Sequence, residues 1–374
     1  MISVDNIIFL ILLALFLNTI INLRRITPDP PSPSKVDWPS VSILVPVRNE
    51  EKNIRQLIAS LLEQDYPDFE IIVMDDGSTD KTWSILKEVA ANQPRLRLVR
   101  GQELPANWTG KNWACYQLSR LAQGEMFLFT DADTLHRPTA LKQAVASALH
   151  DESGLLSALP ELEAKTWSEK LYMPIIPLAF VSLIPFFKLN RRKGRSFPAA
   201  LGPFLLLPRR VYKACGGHEA IKENIVDDIA LARQVAKQKE KITLIDGSHL
   251  FRIRFYTCFA ELWAGFSKNS YEAIKGTPLK LIAIILACYF LFIHPYLALA
   301  DGLSQAHLAA LPLLQVILIS LTRIILAERF GTGLLWVLFH PLSVSLVLLI
   351  LVNSFRLSLF SKKIVWKERW YPLP

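Results

Sequence analysis

The amino-acid sequence predicts an α/β domain with a mostly parallel sheet, joined to helices that cross a membrane. Three observations lead there. Between Val41 and Phe129, short apolar runs alternate with stretches of helical periodicity, the spacing that builds parallel strands covered on both faces. Three of these runs end in polar clusters, Arg48-Asn49-Glu50, Asp75-Asp76 and Asp131-Asp133, and ligands in such sheets sit at the carboxyl ends of strands. Hydrophobic residues make up 51% of the chain, and apolar stretches near the ~20 residues that span a bilayer lie toward both ends.

With 374 residues the chain has room for a soluble domain and several membrane segments. Its formal charge is +9, 42 basic residues against 33 acidic. Arg24-Arg25, Arg191-Arg192-Lys193 and Lys362-Lys363 flank apolar segments, which suits a membrane surface. They lack the interleaved aromatics of a nucleic-acid groove, so no nucleic-acid partner is expected. The four cysteines are scattered without a C-x-x-C pair, giving neither a zinc site nor a disulfide framework and implying a reducing compartment.

Residues 1–26 form an N-terminal anchor. Ile7 to Leu23 is apolar and is followed at once by Arg24-Arg25, which places that end in the cytoplasm. Asn18 and Asn22 weaken it as a span. Residues 27–40 carry five prolines and read as an extended linker. The soluble domain covers 41–275. Strands are expected at Val41–Pro46, Glu70–Met74, Leu96–Val99 and from Met126. Helices are expected at Glu50–Leu62, Lys81–Ala91 (capped by Ser78 or Asp80) and Asn112–Ala122. Leu171 to Phe187 is too rich in proline to span and reads as an interfacial segment or acceptor groove. A strand-like run begins at Gly202, and a helix opening on Asp227 and Asp228 follows, where the helix dipole tolerates acids. Residues 276–374 hold two to three transmembrane helices, at Leu279–Leu299, Leu308–Leu326 and Gly333–Val352, with Pro341 able to break the last.

Asp131 and Asp133 point the same way if the chain stays extended. Two such carboxylates repel unless a cation lies between them, and hard oxygen ligands suit Mg²⁺ or Mn²⁺ with diphosphate oxygens completing the shell; a solvated turn is the alternative. Asp76 can accept from a pyrimidine N–H, and Asn49 or Glu50 can bond ribose or base, although Asp75-Asp76-Gly77-Ser78 also suits an ordinary strand-to-helix turn. Gly110-Lys111 at a helix start can meet a phosphate, which makes Lys111 a candidate diphosphate or sugar contact. His218 either lines an acceptor site or makes a structural bond in its turn.

The ordered set Val-Pro-Val-Arg-Asn-Glu-Glu (45–51), Asp-Asp-Gly-Ser-Thr-Asp (75–80), Asp-Ala-Asp (131–133) and Val-Asp-Asp-Ile-Ala-Leu-Ala (226–232) resembles the family-2 inverting glycosyltransferases with the GT-A fold. The resemblance implies that Pro46, Arg48, Asn49, Glu50, Asp75 and Asp76 frame the base and ribose of a nucleotide-sugar donor. Asp131 would touch donor and metal, with Asp133 the principal contact of Mg²⁺ or Mn²⁺. Asp228 is implied as the base that takes the acceptor's proton, with Asp227 the runner-up, because the family's usual Glu-Asp is Asp-Asp here. Trp-Thr-Gly-Lys-x-Trp-Ala (108–114) is similar to a subgroup associated with carotenoid and hopanoid lipids. The Gln-x-x-Arg-Trp motif of glycan synthases is absent from Phe255–Asn269, which argues for a single transfer. The expectation is a membrane-bound, UDP-linked sugar transferase on the cytoplasmic side of the cytoplasmic membrane, acting on a carotenoid, hopanoid or other isoprenoid alcohol. Transfer to polyprenyl phosphate or diacylglycerol, or a non-catalytic scaffold, are the alternatives.

Overall fold

The computed structural model describes residues 3–27, 37–185, 187, 188, 190, 197–274, 277–305, 309–360, 363–366 and 369–372. The basic run at 191–195, most of the proline linker, and Lys362 and Lys367 lie outside the described residues. Two units emerge. One comprises Arg25–Glu161 and Phe187–Arg254, the other Met1–Arg24, Leu162–Phe186 and Phe255–Pro374.

The first unit is built on strands β1 (Val41–Val47), β2 (Phe69–Asp75), β3 (Leu96–Arg100), β4 (Met126–Phe129), β5 (Thr134–His136), β6 (Leu155–Leu162), β7 (Leu205–Pro208) and β8 (Ile242–Ile253). They form one sheet in the order β3-β2-β1-β4-β7-β6-β8-β5. The pairs β1·β2, β2·β3 and β1·β4 are parallel, as expected. Beyond them β4·β7, β6·β7 and β5·β8 are antiparallel, so the sheet as a whole is mixed. Chain order reverses at β1, which has β2 on one side and β4 on the other, and that reversal opens a crevice at the strands' carboxyl ends.

Alternation along β1 sorts its side chains into two cores. Ile43 and Val45 join Ile71 and Val73 against Ile54, Leu57, Ile58 and Leu61 of the helix Ile54–Leu62. Leu44 and Ile72 join Phe127 and Phe129 on the opposite face, against Ala114, Cys115 and Leu118 of the helix Gly110–Leu121 and Leu231 and Val235 of Asp227–Lys237. Leu57 is fully buried; truncating such a residue to alanine removes about 2–5 kcal/mol of stability.

The first helix of the sheet unit starts at Ile54 rather than Glu50. Asn49 is in the left-handed region at φ 53°, and the backbone N–H groups of Glu50 and Glu51 donate to Thr82 Oγ1 and Asp80 Oδ2, which ties residues 49–51 into a loop. Asp80 Oδ1 also accepts from Thr82 N at 2.9 Å, so Asp80 supplies the expected bond at the next helix start, whereas Ser78 Oγ accepts from Asn49 N instead.

Among the described residues, the second unit holds four helices long and apolar enough to cross a membrane: Val4–Ile26, Pro278–Ser304, Ala310–Phe330 and His340–Phe360. Pro278–Ser304 contains a π-turn at Tyr289–Ile293. Pro295 lies two residues beyond its end, and its missing N–H and ring clash with the preceding turn account for the break. The expected segment Gly333–Val352 is divided: Leu334–Val337 is a separate 3-10 turn, and the last helix begins at His340 with Pro341 in its first turn, where proline is tolerated. Ala310–Phe330 ends on Gly331 in the left-handed conformation at φ 75°, as a helix stop favours.

Among its described residues, Leu171–Phe187 forms no helix long enough to span a membrane. It forms the short helices Trp167–Tyr172 and Ile175–Pro177 and a π-turn, Leu178–Ser182. The two asparagines that weaken the first helix bind its open backbone. Asn18 Nδ2 donates to the carbonyls of Ser182 and Ile184, and Asn22 Nδ2 to those of Val181 and Ile184, all at 2.7–2.9 Å. Phe266 stacks on Tyr172 at 3.9 Å and Trp263 lies against Phe259, so these aromatics pack within the unit. This packing is why 162–186 and the helix Phe259–Ile274 group with the apolar helices and not with the sheet. The tail ends in an antiparallel pair, Lys363–Trp366 with Arg369–Pro372.

Candidate active site

Four charged side chains meet at the carboxyl edge of the sheet. Lys111 Nζ lies 2.8 Å from Asp131 Oδ1 and 3.1 Å from Asp227 Oδ2. Asp228 Oδ2 accepts from Gly202 N at 2.8 Å and its Oδ1 from Ile229 N at 2.7 Å. Gly202 is the centre of the group. A Cβ there would stand 3.1 Å from Lys111 Nζ, 3.3 Å from Asp131 Oδ2 and 3.6 Å from Asp228 Oδ2, so glycine leaves a notch that any side chain would fill.

Local chemistry explains how each arrives. Lys111 is the second residue of the helix Gly110–Leu121, whose N-cap Thr109 accepts from Asn112 N. Asn112 is fully buried, and its Nδ2 donates to the carbonyls of Ile221, Lys222 and Asn224 at 2.8, 3.2 and 2.9 Å. Thr109 N donates to Lys222 O as well. The loop that delivers Asp227 is thereby bound to the helix that delivers Lys111. Gly202 reaches Asp131 because β7 runs antiparallel to β4, with Leu205 opposite Phe129.

Asp131 and Asp133 occupy a turn, not the extended segment that alternation assumed. Thr134 Oγ1 donates to Asp131 O at 2.8 Å and Thr130 Oγ1 to Pro203 O at 2.8 Å. With both hydroxyl protons directed at carbonyls, His136 Nε2, 3.0 and 3.1 Å from the two oxygens, is left to donate. Burial lowers the His136 pKa to about 3 and keeps that ring neutral. Asp133 is half-buried in the same turn.

The other candidate residues frame two loops beside this cluster. Asp75 and Asp76, 3% and 6% exposed, close β2. Asp75 Oδ1 accepts from Ser78 N, and Asp76 N donates to Val47 O. Arg48 Nη1 donates to the carbonyls of Asp76 and Gly77 at 2.6 and 2.8 Å. Asn49 Oδ1 accepts from Thr79 N, and Glu50 Oε2 accepts from Asn53 Nδ2. Arg48 and Asn49 thus clamp the 76–79 loop, and half-buried Pro46 sits opposite Met74 in β1. The buried Cys115 thiol, pushed up by burial, feels the charges of Lys111, Asp227, Asp131 and Asp76, so the end of β2 adjoins the same cluster.

The electrostatics separate the two adjacent acids. Burial opposes the Lys111 charge, yet Asp131 and Asp227 hold the ammonium well above its ordinary value. Burial likewise opposes ionisation of Asp227, but Lys111 and then His218 outweigh it and keep Asp227 below the usual carboxylate range. Burial and the Asp227 charge push Asp228 up to about 6 against Lys111 and two N–H donors. A carboxylate ionised at neutral pH and only slightly above its pKa is suited to take a proton. His218 takes the structural role: its Nδ1 lies 2.9 Å from Tyr212 Oη and its ring 4.7 Å from that of Phe129. Burial lowers its pKa to about 4.

Sequence reasoning missed Gly202, Asn112, Thr130, Thr134 and His136 as parts of this site. The available signal was Asn112-Cys115-Ser119, a polar residue on an inward helical stripe; for Gly202 only the packing of β4 against β7 reveals it.

Residues 42–216 match the family described as Glycosyl transferase family 2. A 4,4'-diaponeurosporenoate glycosyltransferase of Staphylococcus aureus (strain MRSA252) is 30% identical over 340 residues, covering 89% of this chain and 88% of that protein. This chain belongs to glycosyl transferase family 2. It is a glycosyltransferase. The protein of the same name from strain bovine RF122 / ET3-1 matches at the same identity and coverage. A mannosyltransferase from Pyrobaculum calidifontis, solved in complex with GDP-Man and Mn2+, superposes with a TM-score of 0.56 at 20% identity, over 96% of this chain and 100% of that one. That likeness establishes the GT-A fold for the transferase.

Proposed function

We propose that this transferase moves one sugar, with inversion, from a nucleoside-diphosphate donor, UDP-linked, to an isoprenoid lipid of the carotenoid kind. The observation that carries the reading is the convergence of Asp131, Asp227, Asp228 and Lys111 on the Gly202 notch. In this reading Asp75 and Asp76 bind base and ribose, with Pro46, Arg48, Asn49 and Glu50 shaping that pocket. Lys111 turns from its carboxylates toward the diphosphate when donor arrives.

Among the described residues no three His, Cys, Asp or Glu side chains form a ready-made metal cage. The residues present nevertheless fit a hard divalent cation: Asp131 Oδ2 faces the notch, Asp133 follows in the same turn, and Mg²⁺ or Mn²⁺ ordinarily takes one or two carboxylates plus phosphate oxygens. When bound, such an ion neutralises the charge on the leaving diphosphate.

Asp228 would accept the proton of a hydroxyl acceptor as that oxygen attacks the anomeric carbon. The relatives' name denotes a carboxylate acceptor, which is already anionic and needs no base. The acceptor's functional group therefore decides whether Asp228 carries a proton or only orients. The basic ends Arg24-Arg25 and Arg329 of the first and third helices support a cytoplasmic catalytic unit in the cytoplasmic membrane. Four crossings carry the basic tail to the far side against that tendency, so the orientation rests on the first three.

Calorimetric titration of UDP with and without Mn²⁺ tests the site. Metal-dependent binding is expected for the parent and is lost in Asp133→Ala. Unchanged Mn²⁺-dependent affinity in that variant would remove Asp133 from the metal.

A further inference from the structure

The helical unit contains a buried cation that the transfer chemistry does not use. Arg323, 1% exposed, lies in the helix Ala310–Phe330. Its Nη1 is 2.7 Å from His340 Nδ1. Because guanidinium only donates, Nδ1 is the acceptor and the His340 proton sits on Nε2. Arg323 Nε and His340 Nε2 are both buried without a hydrogen-bond partner. Among the described residues no carboxylate pairs with Arg323. Both residues line a narrow cleft whose walls include Leu12, Leu178, Phe292 and Ile319.

We propose that this cleft, only about 10 Å³ as it stands, opens to bind an anionic amphiphile, its oxyanion received by Arg323 and His340 and its hydrocarbon chain by the apolar wall. A buried charge needs compensation, and an ionisable residue inside an apolar helix bundle marks a binding function by default. Water could satisfy the two free N–H groups but would leave the guanidinium charge uncompensated. A phosphate or carboxylate oxygen supplies both. Arg323 stands seven residues before the helix end at Phe330, roughly 10 Å along the axis. In a hydrocarbon core of ~30 Å that depth is inside the apolar layer, where a charge without a counter-ion is costly. The chain contact follows from the walls, since leucine, isoleucine and phenylalanine offer an alkyl chain the same surroundings as the bilayer.

The test uses the full-length protein, delipidated in neutral detergent, with binding read by native mass spectrometry and thermal unfolding. The probes are oleate and phosphatidylglycerol, each against its uncharged counterpart, oleyl alcohol and dioleoylglycerol. At least one anionic probe is expected to form a one-to-one adduct, raise the unfolding temperature and bind at least about tenfold tighter than its counterpart, as a charge-assisted contact provides. Preference for oleate assigns a carboxylic lipid, and preference for phosphatidylglycerol a phospholipid. Arg323→Met should abolish the preference and Arg323→Lys retain part of it. Equal binding of charged and uncharged probes to the parent protein, or no adduct with either acid, overturns the proposal without any variant.

Discussion

The two units treat buried polar groups in opposite ways. In the sheet unit, Asp131, Asp227, Asp228 and Lys111 are held against one another around an empty notch, and their pairing can be exchanged for a charged ligand. In the helical unit, Asn18 and Asn22 are committed to backbone carbonyls of the Val181–Ile184 stretch, bonds that let a broken helix exist among apolar neighbours. Charged side chains therefore serve exchange around the Gly202 notch, and amides serve shape where Asn18 and Asn22 hold a broken helix. Substitutions should separate the two, by activity in the first and by stability in the second.

The largest effect is expected from Asp131→Ala. It should lower kcat by about a thousandfold, the upper range for removing one group from a preorganised electrostatic site, while the unfolding temperature moves little. A comparable loss of stability would instead make the cluster structural.

Next comes Asp228→Asn, which splits chemistry from acceptor type. With a hydroxyl acceptor, turnover should fall by ~10²–10⁴, the usual contribution of a positioned base; with a carboxylate acceptor it should change little. The stability effect has a definite sign. The folded pKa of Asp228, about 6, exceeds its ordinary 3.8, so folding favours the protonated form. That contribution is present below about pH 4 and is lost as pH rises through about 6. The asparagine variant should therefore be more stable than the parent at pH 7.5, on the order of 1 kcal/mol, with the difference closing toward pH 4. Melting curves at the two pH values check this, and a pH-independent difference would contradict it.

Asn112→Ala should act on both readouts. It strands the carbonyls of Ile221, Lys222 and Asn224, which costs about 1–3 kcal/mol, and it loosens Asp227 from Lys111, so kcat should fall with little change in KM for the donor.

Asn22→Leu should give the smallest effect, ~0.6–2 kcal/mol for lost bonds between membrane segments. Activity per folded molecule should be unchanged; a lower kcat without lost stability would blur the division between the units.

What the sequence disclosed follows the same division. The ends of β1, β2 and β4 were legible because apolar runs stop abruptly at Arg48, Asp75 and Asp131, and Lys111 because Gly-Lys opens a helix. In the antiparallel half of the sheet only β7 was legible, in the strand-like run that begins at Gly202. β5 has only three residues, and β6 includes Pro160, so neither shows a clean strand signature. The Asp131–Asp133 turn was misread as extended because the hydroxyls of Thr130 and Thr134, which close it, are read from geometry and not from spacing. Asn18 and Asn22 registered as defects in a span, since their partners lie about 160 residues away. Local patterning reports burial and chain direction; it carries no information on which distant carbonyl accepts a hydrogen bond.

The most direct test of the central claim incubates detergent-purified protein with radiolabelled UDP-sugars, Mn²⁺ and a total lipid extract, and follows counts into the organic phase. The account predicts a labelled lipid that disappears with chelator and with Asp131→Ala. Label that persists with chelator, or that appears equally with the Asp131 variant, would contradict a metal-assisted transfer at this cluster.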